Sequence, residues 1–316
     1  MNYSNQKPQK PCLICGQTDW EFLYPAKDYL HDLEGDFSLW ECDECGFVHT
    51  MPQLVGEDIE VYYPEDYVAY SEDVSQEEKA IAKWDRERGV ARRCNFAIKS
   101  TGKSTGKVLD VGCASGNFLK GMQDRGWDAF GVEPSAYASK YANEVLGLDV
   151  KHGYLVDGLF EDDFFDLVML WDVFEHLEDP ETSLEVMRKI IKPGGTLLLS
   201  LPNSKSWDRH YFKEAWCGWD VPRHYYAYNP ELLQRLVERH GFKKKLLKSF
   251  TGRHGSAALS FDYCHKIMGK SQAQRERFQN FFNSYFFRLL SYPFYFLSDR
   301  LNRSANMTMV FTKDEA

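Results

Sequence analysis

Four cysteines stand at a spacing that does chemistry. Cys12-Leu-Ile-Cys15-Gly16 and Cys42-Asp-Glu-Cys45-Gly46 each place two thiols one tight turn apart. That C-x2-C spacing lets both thiolates of a turn bind one tetrahedral ion, and the glycine that follows supplies the positive φ such a turn needs. Two such turns, with 26 residues between Cys15 and Cys42, complete a four-sulfur shell. A full thiolate shell leaves no position for a substrate water, so the expected metal is a structural zinc. A redox pair would explain one turn and leave the other idle. Zinc capture, on the order of 10 kcal/mol or more in small modules, is enough to fold residues 10–52 without a large core. Cys94, Cys113, Cys217 and Cys264 have no such partners nearby and are expected as small, buried residues.

A second constellation begins at Asp110-x-Gly112-x-Ala114-x-Gly116, with an acid, Glu133, 23 residues after Asp110. The glycines let backbone approach a ligand closely, and Glu133 is placed to accept hydrogen bonds from ribose hydroxyls. A dinucleotide fingerprint cradles a pyrophosphate. An acid before the first glycine would repel a pyrophosphate and attract a cationic group, so the expected ligand is an adenosine compound with a positive charge. The upstream STGKSTGK (100–107) is not a phosphate loop: Val108 stands where a Ser or Thr would hold magnesium, and Gly102 lacks the glycine five positions earlier.

The elements that must position these residues follow from pattern. KVLDV (107–111), WDAFGVEP (127–134), FDLVMLWDV (165–173) and GGTLLLSLPN (194–203) are apolar runs of buried-strand length. Helical stretches separate them, among them NFLKGMQDRG, PSAYASKYANEVLG and EHLEDPETSLEVMRKIIKPG. Alternation of this kind predicts an α/β fold, a Rossmann-like seven-stranded sheet with helices on both faces, plus a small N-terminal zinc ribbon. Ligands of such sheets lie beyond the carboxyl ends of the strands. The expected organisation is a zinc ribbon over 1–52, then a linker and a helix (about Gln76 to Lys99) over 53–105. The sheet domain covers 106–250, a helical aromatic insertion 251–305, and a final strand and tail 306–316.

The chain has 316 residues, 43% hydrophobic and 27% charged, so it can bury a core. Its 38 Lys and Arg against 47 Asp and Glu give −9, which argues against a protein that binds by neutralising phosphates. No secretory leader and no spanning segment are read, so a reducing cytoplasm and free thiols are expected.

Residues 107 to about 250 resemble a class I S-adenosylmethionine (SAM)-dependent methyltransferase: VLDVGCASGNF matches its acid-x-G-x-G-x-G loop, with Ala114 for the middle glycine, and WDVFEHLEDP with KPGGTLLLSLPN extends the match. The resemblance implies that Asp110, Gly112, Cys113, Ala114 and Gly116 line the methionine end. Glu133 would take the ribose, Tyr154 and Leu155 lie near adenine, and Trp171 with Asp172 flank the methyl group. Methyl transfer from a sulfonium is an in-line displacement that needs alignment and exclusion of water. A hydroxyl acceptor also needs a base, for which His176, His224 and Asp172 are the candidates. The aromatic stretch SWDRHYFKEAWCGWDVPRHYYAY (206–228) supplies expected acceptor contacts, His210, Trp216, Arg223 and Tyr225, with Arg223 gripping a phosphate or carboxylate. The same stretch also reads as a packed cap over the cofactor. The cysteine module, the LPN strand end and WDVPRHYY are similar to bacterial methyltransferases of surface-polysaccharide or lipid-linked glycan synthesis. That likeness implies a small-molecule or glycan acceptor, and the overall acidity, with no basic groove in the first 60 residues, weighs against nucleic acid. An RNA methyltransferase with a zinc module and a silent SAM-binding scaffold are the alternatives. In the insertion, aromatics recur at helical spacing from Phe278 to Leu297 in a segment with seven basic and two acidic residues from Lys266 to Arg303. It is expected to pack on its own domain or a second copy, or to touch the inner face of a membrane.

Overall fold

The computed structural model describes residues 6–64, 80–249, 253–282 and 284–315. The start of the helix expected from Gln76, and most of the acidic, tyrosine-rich stretch up to residue 73, lie outside them.

Three short strands open the chain: β1 (Trp20–Ala26), β2 (Phe37–Cys42) and β3 (Val48–Met51). A one-turn helix α1 (Glu57–Glu60) and the long α2 (Ala80–Thr101) lead to the main sheet. Strand and helix then alternate: β4 (Lys107–Val111), α3 (Asn117–Gln123), β5 (Asp128–Glu133), α4 (Ala136–Glu144), β6 (Asp149–His152), β7 (Phe165–Trp171), α5 (Pro180–Ile190) and β8 (Ile191–Pro202). After α6 (Trp207–Phe212), the two-residue β9 (Tyr226–Ala227), α7 (Pro230–Arg239) and β10 (Phe242–Lys248) come the insertion helices α8 (Arg253–Ile267), α9 (Gln272–Phe282) and α10 (Tyr285–Arg300). β11 (Asn306–Lys313) closes the fold.

The main sheet has seven strands in the order β10-β11-β8-β7-β4-β5-β6. β4 to β8 are mutually parallel, and β10 and β11 form the antiparallel edge. Every residue of β7 is buried, as expected of a strand covered on both faces. Helix starts follow local chemistry. Asp179 accepts from the Thr182 amide ahead of Pro180, and Asn229 accepts from the Leu232 amide ahead of Pro230. The helix expected to begin at Glu175 therefore begins at Pro180. Phe174–His176 form a separate 3-10 turn, which leaves His176 on a loop above the strand ends.

Contacts cross the boundary expected at residue 52. β3 pairs antiparallel with β9, Val48 opposite Ala227 and His49 opposite Tyr226, so the downstream chain completes the N-terminal sheet. The cysteine turns also share one core with the methyltransferase-like sheet: Cys12, Ile14, Trp20, Cys42 and Phe47 pack with Phe174, Tyr228 and Leu233. Arg239 ties the first turn down by donating to the carbonyls of Leu13 and Ile14.

Candidate active site

One cleft of about 1600 Å³ runs along the carboxyl ends of the strands, at the switch point where β4 lies between β5 and β7. Its first half is the glycine loop. Gly112 leaves β4 at φ +70 and donates to the Val132 carbonyl at 2.8 Å. Ala114 follows at φ +48 and Gly116 at φ +83, at the N-terminus of α3. Glu133, buried at the end of β5, accepts from the Ala114 amide through Oε2 and from the Ser135 amide through Oε1, both at 2.8 Å. A carboxylate has about four lone-pair sites, so half remain for a ligand's hydroxyls. Burial raises its pKa despite those two bonds.

Asp110 lies beneath the loop, and burial with the neighbouring Glu133 carboxylate pushes its pKa well up, opposed by Arg93. Arg93, carried in by α2, was not singled out by its sequence context. Its guanidinium stands over the rings of Phe118 (4.7 Å) and Trp171 (5.3 Å), which stack on each other with centroids 5.6 Å apart. Among the described lining residues it is the single Arg or Lys, set against Glu60, Asp110, Glu133, Asp172, Glu175, Glu178 and Asp179.

The far wall grows from the end of β7. Asp172 opens onto the cleft at φ +55 and accepts from the Asn306 amide group at 3.0 Å; the crowded walls raise its pKa, against Arg93. His176 Nδ1 lies 3.0 Å from the Arg223 carbonyl and 3.0 Å from the Tyr63 hydroxyl. A carbonyl can only accept, so these partners assign the ring proton to Nδ1 and leave Nε2 with its lone pair. His224 is locked the same way, Nδ1 on the Gly218 carbonyl at 2.9 Å, with Nε2 3.8 Å from both Glu175 Oε1 and Asp220 Oδ2. The two rings meet edge to face at 4.5 Å. Burial, then the neighbouring His224, holds His176 down to about 3, and burial lowers His224 too, partly offset by Asp220. Glu175 is 1% exposed, neither of its oxygens has a hydrogen-bond partner among the described residues, and burial next to Asp172 pushes its pKa well up. The wall thus sets two imidazoles, which burial disfavours charging, beside a carboxyl that burial also disfavours charging, with one nitrogen or oxygen of each within 4.8 Å of the others.

The cleft brings together Asp110, Gly112, Cys113, Ala114, Glu133, Tyr154, Leu155, Trp171, Asp172, His176 and His224. Gly116 lies just behind the loop, where a Cβ would meet Leu148 at 2.6 Å and Ala142 at 3.1 Å. The expected acceptor contacts divide. Trp216 and Tyr225 border the cleft as buried residues, and the Tyr225 hydroxyl is committed to the Leu54 carbonyl at 2.6 Å. The aromatic stretch is therefore a packed cap at Trp216, Trp219 and Tyr225. His210 is exposed and lies outside the cleft. Arg223 cannot grip an acceptor: it is 0% exposed, and Asp28, Asp220 and the Tyr62 carbonyl take its nitrogens.

A model of the methyltransferase domain matches residues 82–246, just over half of the chain. The chain belongs to the class I SAM-dependent methyltransferases. It is 27% identical over 149 residues to the ubiquinone biosynthesis O-methyltransferase of Alkalilimnicola ehrlichii, covering 42% of this chain and 60% of that protein. The enzyme of the same name from Pseudomonas entomophila is 30% identical over 134 residues, covering 38% and 57%. The methyltransferase therefore spans less than two thirds of the curated relatives it matches. A SAM-dependent methyltransferase of Archaeoglobus fulgidus superposes with a TM-score of 0.48 at 20% identity, over 72% of this chain and 94% of that one.

Away from the cleft, the four cysteine sulfurs converge. Their Sγ atoms lie within 4.8 Å of one another, with Cys12–Cys45 and Cys15–Cys42 both at 3.5 Å. A tetrahedron with zinc–sulfur bonds of about 2.3 Å has edges of about 3.8 Å. Gly16 and Gly46 close the two turns at φ +79 and +73. Burial pushes the Cys12 thiol up to about 11 and raises Cys45 as well. Cys15 is instead lowered, the Gln17 amide and the neighbouring cysteines outweighing burial, and a bound dication favours the thiolate at each sulfur it holds. Among the described residues, no helix is long and apolar enough to cross a membrane.

Proposed function

We propose that this methyltransferase transfers a methyl group to a hydroxyl oxygen of a small-molecule or glycan acceptor, a sugar hydroxyl being the favoured case, and that nucleic acid is not its acceptor. SAM supplies an electrophilic methyl carbon on a sulfonium. The observation that carries the reading is the neutral His176–His224 pair beside Asp172, on the wall that faces the glycine loop across one cleft. The acceptor oxygen attacks the methyl carbon as the carbon–sulfur bond breaks, sulfur keeps the electron pair as a neutral thioether, and the hydroxyl proton passes to an imidazole Nε2 or to Asp172. Both imidazoles are held neutral with Nε2 open, which is the state a general base requires. Glu133 would hold the ribose, the Asp110–Gly116 loop the methionine end, Tyr154 and Leu155 the adenine, and Trp171 with Phe118 the wall at the sulfonium.

The acceptor side supports a polyhydroxylated, uncharged group. Tyr63, Trp216 and Tyr225 line it together with Glu60 and Glu175, and among the described lining residues Arg93 alone offers a positive charge. Any phosphate on the acceptor would lie outside this part of the cleft. The relatives' designation as O-methyltransferases favours oxygen over nitrogen. Calorimetry with SAM, followed by S-adenosylhomocysteine release across matched hydroxyl, deoxy and amine acceptors and RNA, tests the reading. Turnover should need a hydroxyl and fall at least about 100-fold in a His176→Gln/His224→Gln pair, with SAM affinity kept. Transfer to RNA alone, or SAM binding with no turnover, would replace this reading.

We also propose that Cys12, Cys15, Cys42 and Cys45 hold a structural zinc. Elemental analysis should find one zinc per chain, absent from Cys12→Ser/Cys45→Ser. Because the turns share a core with Phe174, next to His176, chelation should lower the unfolding temperature and loosen the far wall together. Full stability with less than about a tenth of an equivalent of zinc would exclude the site.

A further inference from the structure

We infer that α10 is a membrane-surface helix, which seats its outer face on an anionic bilayer. The helix has two apolar faces and the protein uses one. On the inner side Tyr295 and Ser298 are buried, and Phe287 meets Phe282 with ring centroids 4.0 Å apart, joining the core that holds Trp216 and Trp219. On the outer side Phe286 is 69% exposed, Leu289 78%, Leu290 65%, Phe296 44% and Leu297 49%. These recur at i, i+3, i+4, i+10 and i+11, one continuous stripe over three turns. Scattered exposed leucines are ordinary on a soluble surface, but an unbroken stripe is not.

Charge and length select the occupant. The segment from Lys266 to Arg303 carries seven basic and two acidic residues within a chain of −9. Lys266 and Arg275 are paired with Asp32 and Asp262, while Lys270, Arg277 and Arg300 are exposed, and the Arg300 guanidinium lies over the Phe296 ring of the stripe at 4.8 Å. An apolar stripe in a net basic segment suits an anionic interface. A symmetric contact with a second copy would bring two basic segments face to face, at a like-charge cost. The helix has 16 residues with Pro293 inside it, about 24 Å at 1.5 Å per residue. That is short of the roughly 30 Å a bilayer core demands, so it would lie on the surface and not across it.

Co-sedimentation tests this, using the full chain with vesicles of phosphatidylglycerol mixed with phosphatidylcholine and with phosphatidylcholine alone. The parent should bind the mixed vesicles, bind phosphatidylcholine alone more weakly, and release as salt rises. Leu289→Ser/Leu290→Ser should bind about ten-fold or more weakly, since each leucine seats apolar surface, while its calorimetric SAM affinity stays at the parent value. No binding by the parent, equal binding to neutral vesicles, or full binding by the double variant overturns the proposal. So does a parent dimer in vesicle-free buffer that the double variant converts to monomer, which would assign the stripe to a second copy. Because SAM binding and turnover on soluble acceptors are read separately, failure here leaves the proposed transfer reaction untouched.

Discussion

Gly112→Ala is expected to weaken SAM binding by about two orders of magnitude, or about 2.7 kcal/mol. Two effects combine. Gly112 sits at φ +70, where a Cβ costs about 1–2 kcal/mol. The new Cβ would also stand 2.7 Å from Val173 Cγ2 and 3.1 Å from Cγ1, and a short β-branched side chain has little room to yield. The loop would relieve both by lifting off the end of β4, withdrawing the backbone that faces the ligand. Two positions on, the sign reverses. Ala114 already bears a Cβ at φ +48, so Ala114→Gly should keep SAM affinity and add about 0.5–1 kcal/mol of stability, strain relief less the added chain entropy. Calorimetric titration with SAM and urea unfolding of both variants check the pair. A Gly112→Ala protein that bound SAM within about three-fold of the parent would show that the loop is not the cofactor cradle.

Arg223→Leu is expected to cost about 3–5 kcal/mol of folding stability. The Arg223 guanidinium is fully buried and donates to Asp28 Oδ1 at 2.8 Å, Asp220 Oδ1 at 2.7 Å and Oδ2 at 3.0 Å, and the Tyr62 carbonyl at 3.0 Å. It holds the Asp220 carboxyl below its usual range although burial pushes the other way. Leucine leaves two carboxylates in a dry interior with no counter-charge, which costs more than the ion pair itself contributes. Adding Asp28→Asn removes one orphan charge, so the double variant should recover a kilocalorie or more, about ten-fold in the folding constant, and a double-mutant cycle from urea unfolding measures it. The cluster joins the N-terminal sheet to the His224 turn, so turnover should fall even in the stabilised double variant. A loss under about 1 kcal/mol would mean that water reaches both carboxylates.

The features readable from the chain alone are those enforced within a few residues. A C-x2-C-G turn, a left-handed glycine after a strand, a proline after a capping Asp or Asn and an all-apolar β7 each meet a local steric or solvation demand. Together these express the seven-stranded sheet, the glycine loop with Glu133 and the cysteine cluster. The site's far wall was only half legible. Asp172 and His176 stand at a strand end whose role the pattern announces, and His224 was visible as a residue type, but nothing local shows that their rings meet. Arg93 arrives on α2, and Asn306 reaches Asp172 across 134 positions. Asp28 claims Arg223 across 195, which turned an apparent anion grip into a sealed ion cluster. The same long-range closure sends β9 back to β3, so the sheet crosses the boundary that the cysteine module suggested at residue 52. Local backbone chemistry could decide which elements form and where a ligand crevice opens. Which charges are spent, which imidazole nitrogens stay open and which face of α10 is left uncovered depend on neighbours that only tertiary packing supplies, because desolvation and ion pairing act through space and leave no spacing in the sequence.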